Sequence, residues 1–407
     1  MTKWIALSLI HPSFIPDRLS ARLSEGRRLS LFYAAVFATI GIQLPFWPLW
    51  LQSRGLSATE IGVVLAVTSW ARLVVSPVAA HYVDKGRSRL GLTLIVLVAV
   101  SLALSAFLGL THGFWLILAV NSLSAGAFSA VIPLSDNLTL LITYARRLDY
   151  GHIRLWGSFG FLVMAVCAGR VLTNTSPAAI LWAILGGMAL TLGAAAILPT
   201  APPAVAAPPP RLFRGLVRQP LFWMFLVATS LIQASHSVYY GFSTLHWREA
   251  GLSSALIGGL WAEAVVAEVI LFAFSDAVVA RLGPGRLLVL GAAGAALRWC
   301  VLAMTTALPL LALVQVLHAL SFGAAHLGAM HFIARAAPAG ATARAQALYS
   351  SVAVGAMGFA MMASGQLYHQ LGGFAFFTSA ALAAVATVVA GFLNRHWHGG
   401  VISAVQM

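Results

Sequence analysis

Nine ionisable side chains stand inside segments that are otherwise apolar, and these side chains are the best candidates for chemistry in the chain. An ionised side chain at the centre of a bilayer costs about 2.5 to 3.5 kcal/mol, so such groups survive where they face one another or a cavity. The set comprises three arginines, three acids and three histidines: Arg72, Arg154, Arg298, Asp136, Glu263, Glu268, His236, His318 and His326. Arginines can bind anions, while buried acids and histidines can exchange protons. This combination is typical of a protein that holds and releases a small solute.

Asp136 and Arg154 are 18 residues apart, on either side of the turn at residues 146–149. At a rise of about 1.5 Å per residue, Asp136 lies roughly 15 Å from that turn, whereas Arg154 lies near the start of its helix. Two interpretations remain open. The two residues form a permanent ion pair between helices, or Arg154 binds an anionic or hydroxyl-bearing solute when Asp136 releases it. We expect the second.

Glu268 follows Glu263 by five residues, which is about 140° around a helix, so we expect only Glu268 to face a central cavity. An acid removed from water favours its protonated form and can exchange a proton near neutral pH, as proton coupling requires. His318 and His326 lie two turns apart on a later segment and titrate in the same range. With Arg298 they form a candidate proton-coupling group, although a buried histidine is also a common neutral core residue.

The composition indicates an integral membrane protein. The chain is 60% hydrophobic and 8% charged, whereas about a quarter of the residues of a soluble protein are charged. Twelve apolar segments have the length of about 20 residues that spans a bilayer. Most lysines and arginines fall on one predicted face, which places both termini in the cytoplasm and explains the net charge of +14 without a nucleic-acid partner. Cys167 and Cys300 lie in apolar segments, and we predict no disulfide, metal or cofactor.

The chain also repeats itself. The sequence Gly55-Leu56-Ser57, with Ile61-Gly62, returns 196 residues later as Gly251-Leu252-Ser253, with Ile257-Gly258. Arg72 and Glu268 occupy equivalent positions of the two copies. A proline-rich stretch at 200–210 separates the copies and is typical of a linker.

We therefore predict an all-α membrane protein with twelve transmembrane helices in two pseudo-symmetric six-helix bundles. The predicted divisions are a cytoplasmic N-terminal extension at 1–28, an N-terminal bundle at 29–198, a cytoplasmic linker at 199–218, a C-terminal bundle at 219–394 and a cytoplasmic tail at 395–407. Ionisable groups near the midplane of two related halves are characteristic of secondary transporters.

The loop between the second and third segments, at 81–89, carries an acid followed by a glycine and clustered basic residues. This pattern resembles the loop signature of the major facilitator superfamily, although Ala80 replaces the usual glycine ahead of the acid. The resemblance implies the twelve-helix major facilitator fold and a cytoplasmic gate formed by Asp84, Arg87 and Arg89.

The segment at 150–161 resembles the fifth helix of lactose-permease-like proton symporters. That resemblance implies solute ligands at Asp136 and Arg154, an aromatic face at Phe161, and proton coupling by Glu268, Arg298 and His318 or His326. The chain departs from these permeases in two respects. Phenylalanine replaces their tryptophan platform, and no lysine stands in the core.

Across nearly its whole length the chain most resembles the phenylpropionate-permease branch of the superfamily. The segments that carry the resemblance include 44–48, 55–57, 133–136, 154–158, 267–269 and 346–349. The branch implies uptake of a small aromatic carboxylate such as 3-phenylpropionate with protons, through a bacterial-type inner membrane. Arg154, Asp136 and Arg72 would meet the solute, and candidate aromatic walls are Phe46, Trp47, Trp156 and Phe161. Packing or interface anchoring is the alternative role for each aromatic residue.

Other functions use similar residues. A sugar or nucleoside proton symporter and a proton-driven efflux antiporter are the alternative transporters. A polytopic transferase would also bury acids and histidines, but the sequence has no metal-ligand spacing, nucleotide-binding loop or large extramembrane lobe. A sensor would need a signalling domain. We predict a transporter, not an enzyme, that functions as a monomer with a small solute and protons as its partners.

Overall fold

The computed structural model describes residues 16–84, 90–200 and 211–402, and these residues are helical without strands. Seven helices precede the linker region. They are α1 (Pro16–Ser53), α2 (Ala58–Asp84), α3 (Leu90–Leu108), α4 (Phe114–Ser129), α5 (Val131–Arg146), α6 (Tyr150–Thr173) and α7 (Ala178–Ala196).

Nine further α-helices follow the linker region. They are α8 (Arg211–Val217), α9 (Pro220–Ala234), α10 (Ser237–Glu249), α11 (Ser254–Ala273), α12 (Ser275–Met304), α13 (Leu308–Gln315), α14 (Ala325–Ala336), α15 (Thr342–Leu371) and α16 (Phe376–His396). A π-helical segment, Ala319–Ala324, joins α13 to α14, and a short 3₁₀ segment, Gly372–Ala375, joins α15 to α16.

Eleven helical stretches of the described chain are long and apolar enough to cross a membrane. The last stretch, Thr342–His396, is 55 residues long and contains α15 and α16. Gly372, with a φ of 54°, turns the chain between these two helices, so the stretch crosses twice. The predicted all-α architecture with twelve transmembrane helices is confirmed.

The repeated Gly-Leu-Ser sequence is a helix-starting turn. Gly55 and Gly251 have φ angles of 85° and 89°, which favour glycine, and the serine two residues later caps the next helix. Ser57 Oγ lies 3.3 Å from the backbone nitrogen of Glu60, and Ser253 Oγ accepts from Leu256 at 3.3 Å. The repeat therefore starts α2 and α11 in the same way.

Asp149 caps α6 by a similar contact, accepting a hydrogen bond from the His152 backbone nitrogen at 2.9 Å. This bond stabilises the carboxylate, so it holds the pKa of Asp149 below its ordinary value.

Three of the predicted membrane crossings consist of two helices, and α12 itself joins two helices across a kink at Gly283, whose φ is 74°. The fourth crossing breaks at Ala130 between α4 and α5, and the seventh breaks at residues 235–236 between α9 and α10. The tenth contains the π-helical segment, which widens the helix locally. In contrast, Pro45 and Pro48 lie within an uninterrupted α1. Proline thus accompanies the break in the fourth crossing, where Pro133 lies three residues after Ala130, but it does not interrupt α1.

The two halves meet through two pairs of glycines that are related by the same offset of 196 residues. A Cβ atom at Gly62 of α2 would lie 2.7 Å from the Cα of Gly365 in α15. The equivalent pair consists of Gly258 in α11 and Gly169 in α6, where an added Cβ would lie 3.2–3.3 Å from the partner Cα. Such approach of two backbones requires residues without side chains.

Two hydrogen bonds join the halves at the same level. Thr59 Oγ1 donates to Gln366 Oε1 at 3.0 Å, and the Ala255 nitrogen donates to Thr173 Oγ1 at 3.0 Å. We call this end of the molecule, where α2 and α11 begin, the closed end.

The outer surface carries large apolar side chains. Trp115, Leu110 and Trp182 are 77%, 74% and 72% exposed. Exposure of this kind suits the hydrocarbon interior of a bilayer, whereas the charged groups discussed below face inward.

Candidate functional site

A cavity of about 620 Å³ lies between the two halves and is lined by residues of both. The internal repeat continues into its lining. Four positions of α2 and four of α11 line the cavity, and each pair is offset by 196 residues: Leu65 with Trp261, Thr68 with Ala264, Ser69 with Val265, and Arg72 with Glu268. The same faces of the two equivalent helices therefore form opposite walls of one central site.

The acid of the N-terminal half, Asp136, is held by two phenols. Tyr33 and Tyr150 donate hydrogen bonds to Asp136 Oδ1 at 2.5 and 3.0 Å. Arg154 Nε lies 4.0 Å from the same oxygen, at the outer limit of an ion pair. Asp136 itself does not line the cavity. Its carboxylate is thus satisfied mainly by tyrosines and does not fully engage the arginine.

Arg154 lines the cavity and stacks on aromatic rings of α1. Its guanidinium carbon lies 4.0 Å from the Phe37 ring centroid and 5.4 Å from that of Tyr33. Arg72 also lines the cavity, is solvent-exposed, and makes no hydrogen bond or ion pair with any residue that the structure describes. The cavity therefore presents two guanidinium groups whose donors are largely available to a solute.

The C-terminal half supplies an acid and a histidine. Glu268 Oε2 lies 3.4 Å from His318 Nε2, and both residues line the cavity. His318 Nδ1 lies 3.0 Å from Arg298 Nη1. Because a guanidinium only donates, His318 Nδ1 accepts, and the proton of the neutral ring then resides on Nε2, facing Glu268. The pair is therefore arranged as a proton donor next to a carboxylate.

Arg298 is fully buried and does not line the cavity. It donates to Gln315 Oε1 at 2.6 Å and to Ser321 Oγ at 3.3 Å, and it stacks on Tyr239 at 4.3 Å. Gln315 in turn donates to the Tyr239 hydroxyl and to the Leu260 carbonyl, at 2.9 and 3.0 Å. Arg298 is thus an anchor that orients His318 from behind.

His326 lies outside the central cavity. It lines a separate pocket of about 10 Å³, the volume of roughly one water probe. Its ring stacks on Phe322, which stacks on His318, with centroid separations of 6.0 and 5.3 Å. The histidines predicted as one group are therefore separated by an aromatic ring of the π-helical segment.

The predicted aromatic walls divide into two groups. Trp47 and Phe161 line the cavity. Trp156 is 51% exposed and packs edge-on against Phe159 at 5.8 Å, and Phe46 is buried away from the cavity. The expectation that Trp156 and Phe46 line the solute site needs correction, because their helices turn these side chains away from the centre.

The remaining candidates also lie outside the cavity. Glu263, which was not expected to face it, does not line it, and neither does His236, whose Nδ1 is 2.9 Å from the carbonyl oxygen of Ile232 in α9. The predicted cytoplasmic gate lies outside the described part of the chain, since Arg87, Arg89 and the Asp84 side chain are not described.

Several site residues were not predicted from the sequence. Tyr240 and Trp261 line the C-terminal wall, while Tyr33 and Gln315 hold Asp136 and Arg298. Trp261 had a usable signal, because it lies seven residues before Glu268 and hence on the same helix face. The positions of Tyr33 and Gln315 depend on contacts between distant helices, which leave no local pattern.

Comparison with known proteins identifies relatives over most of the chain. Residues 27–379 match the model of the MFS_1 like family. The chain is 36% identical over 368 residues to a probable 3-phenylpropionic acid transporter of Escherichia coli (strain K12), an alignment that covers 89% of this chain and 96% of the relative. It is 29% identical over 330 residues to a maltose permease of Geobacillus stearothermophilus, covering 80% and 83% of the two chains.

Among solved structures, the nucleoside transporter NupG superposes with a TM-score of 0.75 at 15% identity, covering 91% of this chain and 98% of that structure. A bacterial homologue of the human lysosomal transporter Spinster, in an inward-facing and occupied conformation, gives a TM-score of 0.72 at 14% identity, with coverage of 93% and 97%. At these identities the likeness establishes the shared fold.

Proposed function

The chain belongs to the MFS_1 like family of membrane transporters, and on this premise we propose that it is a proton symporter that imports a small aromatic carboxylate. It is a multi-pass integral membrane protein and a transporter, not an enzyme. A compound of the 3-phenylpropionate type is the proposed solute, and the bacterial cytoplasmic membrane is the proposed location. We further propose that it acts as a monomer, with both termini in the cytoplasm.

One observation carries the solute assignment. Two guanidinium groups, of Arg72 and Arg154, face a cavity with aromatic walls, and neither is neutralised by a closely bonded carboxylate among the described residues. A solute carboxylate would complete the hydrogen bonds of Arg154, and Trp47 and Phe161 would pack against an aromatic ring. The similarity to the probable 3-phenylpropionic acid transporter supports the same solute class.

Proton coupling is proposed to arise from competition for Arg154. Arg154 and Glu268 face the cavity from opposite halves, and opposite charges attract each other strongly where little water separates them. When Glu268 is ionised, its negative charge attracts the guanidinium. Protonation of Glu268 removes that charge and leaves Arg154 to the solute carboxylate, so proton and solute bind together. His318, with its Nε2 proton toward Glu268, assists the transfer of the proton.

Movement of the two bundles would carry the solute across. The bundles proposed at 29–198 and 219–394 would rock about the central cavity, with the linker at 199–218 joining them. In the described conformation the glycine pairs hold the closed end together. Uptake requires this end to open toward the outside and the opposite end to close.

A sugar symporter is the second candidate. The 29% identity to a maltose permease favours it, as do uncharged polar side chains that line the cavity, such as Gln43, Asn121 and Gln233. Hydroxyl groups of a sugar would bond to such amides. The two available guanidinium groups favour the carboxylate.

Equilibrium binding to the purified protein in detergent distinguishes these solutes. Isothermal titration calorimetry should be performed with 3-phenylpropionate, with its uncharged amide and with maltose. Loss of one partner from a buried charge pair costs about 2 to 5 kcal/mol, so we expect the amide to bind at least about 30-fold more weakly than the acid. Equal affinity for amide and acid would contradict the assignment, and binding of maltose alone would establish the sugar alternative.

A further inference from the structure

The residues that line the cavity change from charged to aromatic along its depth. With a helical rise of about 1.5 Å per residue, Trp47 and Trp261 lie roughly 10 Å from the helix ends at the closed end, at Ser53 and Ser254 respectively. On the same scale, Arg72 and Glu268 lie about 20 Å from the starts of α2 and α11. The charged groups therefore surround the deeper part of the cavity, and the tryptophans are nearer the closed end.

Two uncharged polar side chains lie between these levels. Gln43 of α1 lies about 15 Å from Ser53. Tyr240 lies about 14 Å from Glu249, the last residue of α10, and this helix also ends at the closed end. Both line the cavity, and neither side chain hydrogen-bonds with any residue in the described part of the chain. The pseudo-symmetry relates them closely, because residue 44, next to Gln43, is the repeat equivalent of Tyr240.

Aromatic rings surround these polar groups. The Tyr240 ring is nearly parallel to that of Trp261, with centroids 6.1 Å apart, and Trp47 stacks on Trp50 at 4.5 Å. An aromatic solute whose carboxylate lies at the level of Arg72, with Arg154 about 8 Å deeper on the same scale, would extend its ring into this region. Gln43 and Tyr240 lie about 6 to 8 Å closer to the closed end than Arg72 and Glu268, so they would meet the far edge of that ring.

An unsubstituted ring would bury the amide of Gln43 and the hydroxyl of Tyr240 without partners. An unpaired buried polar group costs about 1 to 3 kcal/mol. A hydroxyl group on the ring can accept a hydrogen bond from the amide and donate one to the phenol oxygen, which removes that cost. Sites built to bond a hydroxyl group reject analogues that lack it far more strongly than apolar pockets reject an added one.

We infer that the transporter is selective for ring-hydroxylated aromatic carboxylates, with Gln43 and Tyr240 as the residues that determine this specificity. The inference rests on the proposed function, since it assumes that the carboxylate lies at Arg154 and Arg72. It adds a second, neutral recognition point to the same cavity. The solute class is thus a phenolic acid with a short carboxylate side chain.

Competition binding tests this inference. Displacement of radiolabelled 3-phenylpropionate from the purified protein should be measured with 3-(3-hydroxyphenyl)propionate and 3-(4-hydroxyphenyl)propionate. We expect at least one of these phenols to bind about tenfold or more tightly than the unsubstituted acid, the factor that corresponds to one recovered buried hydrogen bond. Tyr240→Phe and Gln43→Leu should each reduce this preference severalfold, because the phenols lose a hydrogen bond and 3-phenylpropionate no longer buries an unpaired polar group. A thermal melt of each variant controls for folding.

The possible outcomes distinguish the inferred selectivity for phenols from the proposed transport of an aromatic carboxylate. Equal affinity for the phenols and the unsubstituted acid in the wild-type protein would overturn the inference and leave the proposed function intact. An unchanged preference in both variants would overturn the assignment of Gln43 and Tyr240. If none of the three acids binds, the proposed function itself fails.

Discussion

Replacing Arg154 with glutamine is expected to weaken the binding of 3-phenylpropionate by about 30-fold or more, because the variant removes the charge that a solute carboxylate would meet. Asp136 should remain satisfied in the variant, since Tyr33 and Tyr150 already donate to it. The protein is therefore expected to stay folded while its affinity falls. Titration calorimetry in detergent gives the affinity, and a thermal melt reports folding.

Arg170 offers a matched control for this variant. It lies on the same helix, α6, and is exposed outside the cavity. Arg170→Gln should leave the affinity within a factor of about two, since distant surface charges contribute little. Arg154→Lys should bind 3-phenylpropionate with intermediate affinity, because lysine keeps the charge but cannot form the bidentate hydrogen bonds that arginine makes with a carboxylate. Wild-type affinity in Arg154→Gln would remove Arg154 from the solute site.

Replacing Gly258 with leucine is expected to abolish net transport by preventing the closed end from forming. A side chain at this position would clash with the backbone of Ala165 and would bring its Cβ to 3.3 Å from the Gly169 Cα. Backbone atoms cannot move aside as a flexible side chain can, so α11 and α6 must separate. The variant should then rest with the closed end open, and transport should fall to the background level.

Cysteine labelling provides the measurement. Ser69→Cys, a cavity position, is introduced after Cys167 and Cys300 have been replaced with serine, and an impermeant thiol reagent is applied from the closed-end side. Labelling should increase in Gly258→Leu. Gly259→Leu is the matched control, because a Cβ at this neighbouring glycine meets no atom within 4 Å. Equal labelling in the two leucine variants would show that the glycine contact does not close the cavity.

The repeat in the sequence predicted more than the number of helices. The pairing of Arg72 with Glu268 placed both residues on equivalent helix faces, and both line the cavity. Equivalent residues of related helices share their surroundings because the two bundles are built alike. The same reasoning extends to the glycines, since Gly169 and Gly365 share the offset that relates Gly62 and Gly258.

Helix rotation could not be predicted in the same way. Trp156 lies two residues from Arg154, which is about 200° around a helix, so the two side chains point in opposite directions. Apolar residues cover all faces of a transmembrane helix, and this removes the amphipathic signal that orients helices in soluble proteins. The spacing from Arg154 was nevertheless a usable signal, because a cavity-facing Arg154 turns Trp156 toward the outer surface, where the structure places it.

Polar contacts between distant helices were also beyond the sequence pattern. Asp136 was expected to pair with Arg154, but two tyrosines occupy its oxygen, one of them 103 residues away in the chain. The separation of His318 from His326 arises because the ring of Phe322, four residues from each, stacks between their two rings.

Proton-driven uptake tests the central claim most directly. Radiolabelled 3-phenylpropionate is supplied to proteoliposomes with and without an inward proton gradient, for the wild-type protein, Glu268→Gln and Glu263→Gln. Glu263 lies on the same helix but does not line the cavity. We expect the wild type and Glu263→Gln to accumulate the acid only with the gradient, and Glu268→Gln to exchange it without accumulation. Gradient-driven accumulation by Glu268→Gln, or expulsion of the acid by the wild type, would contradict proton symport through Glu268.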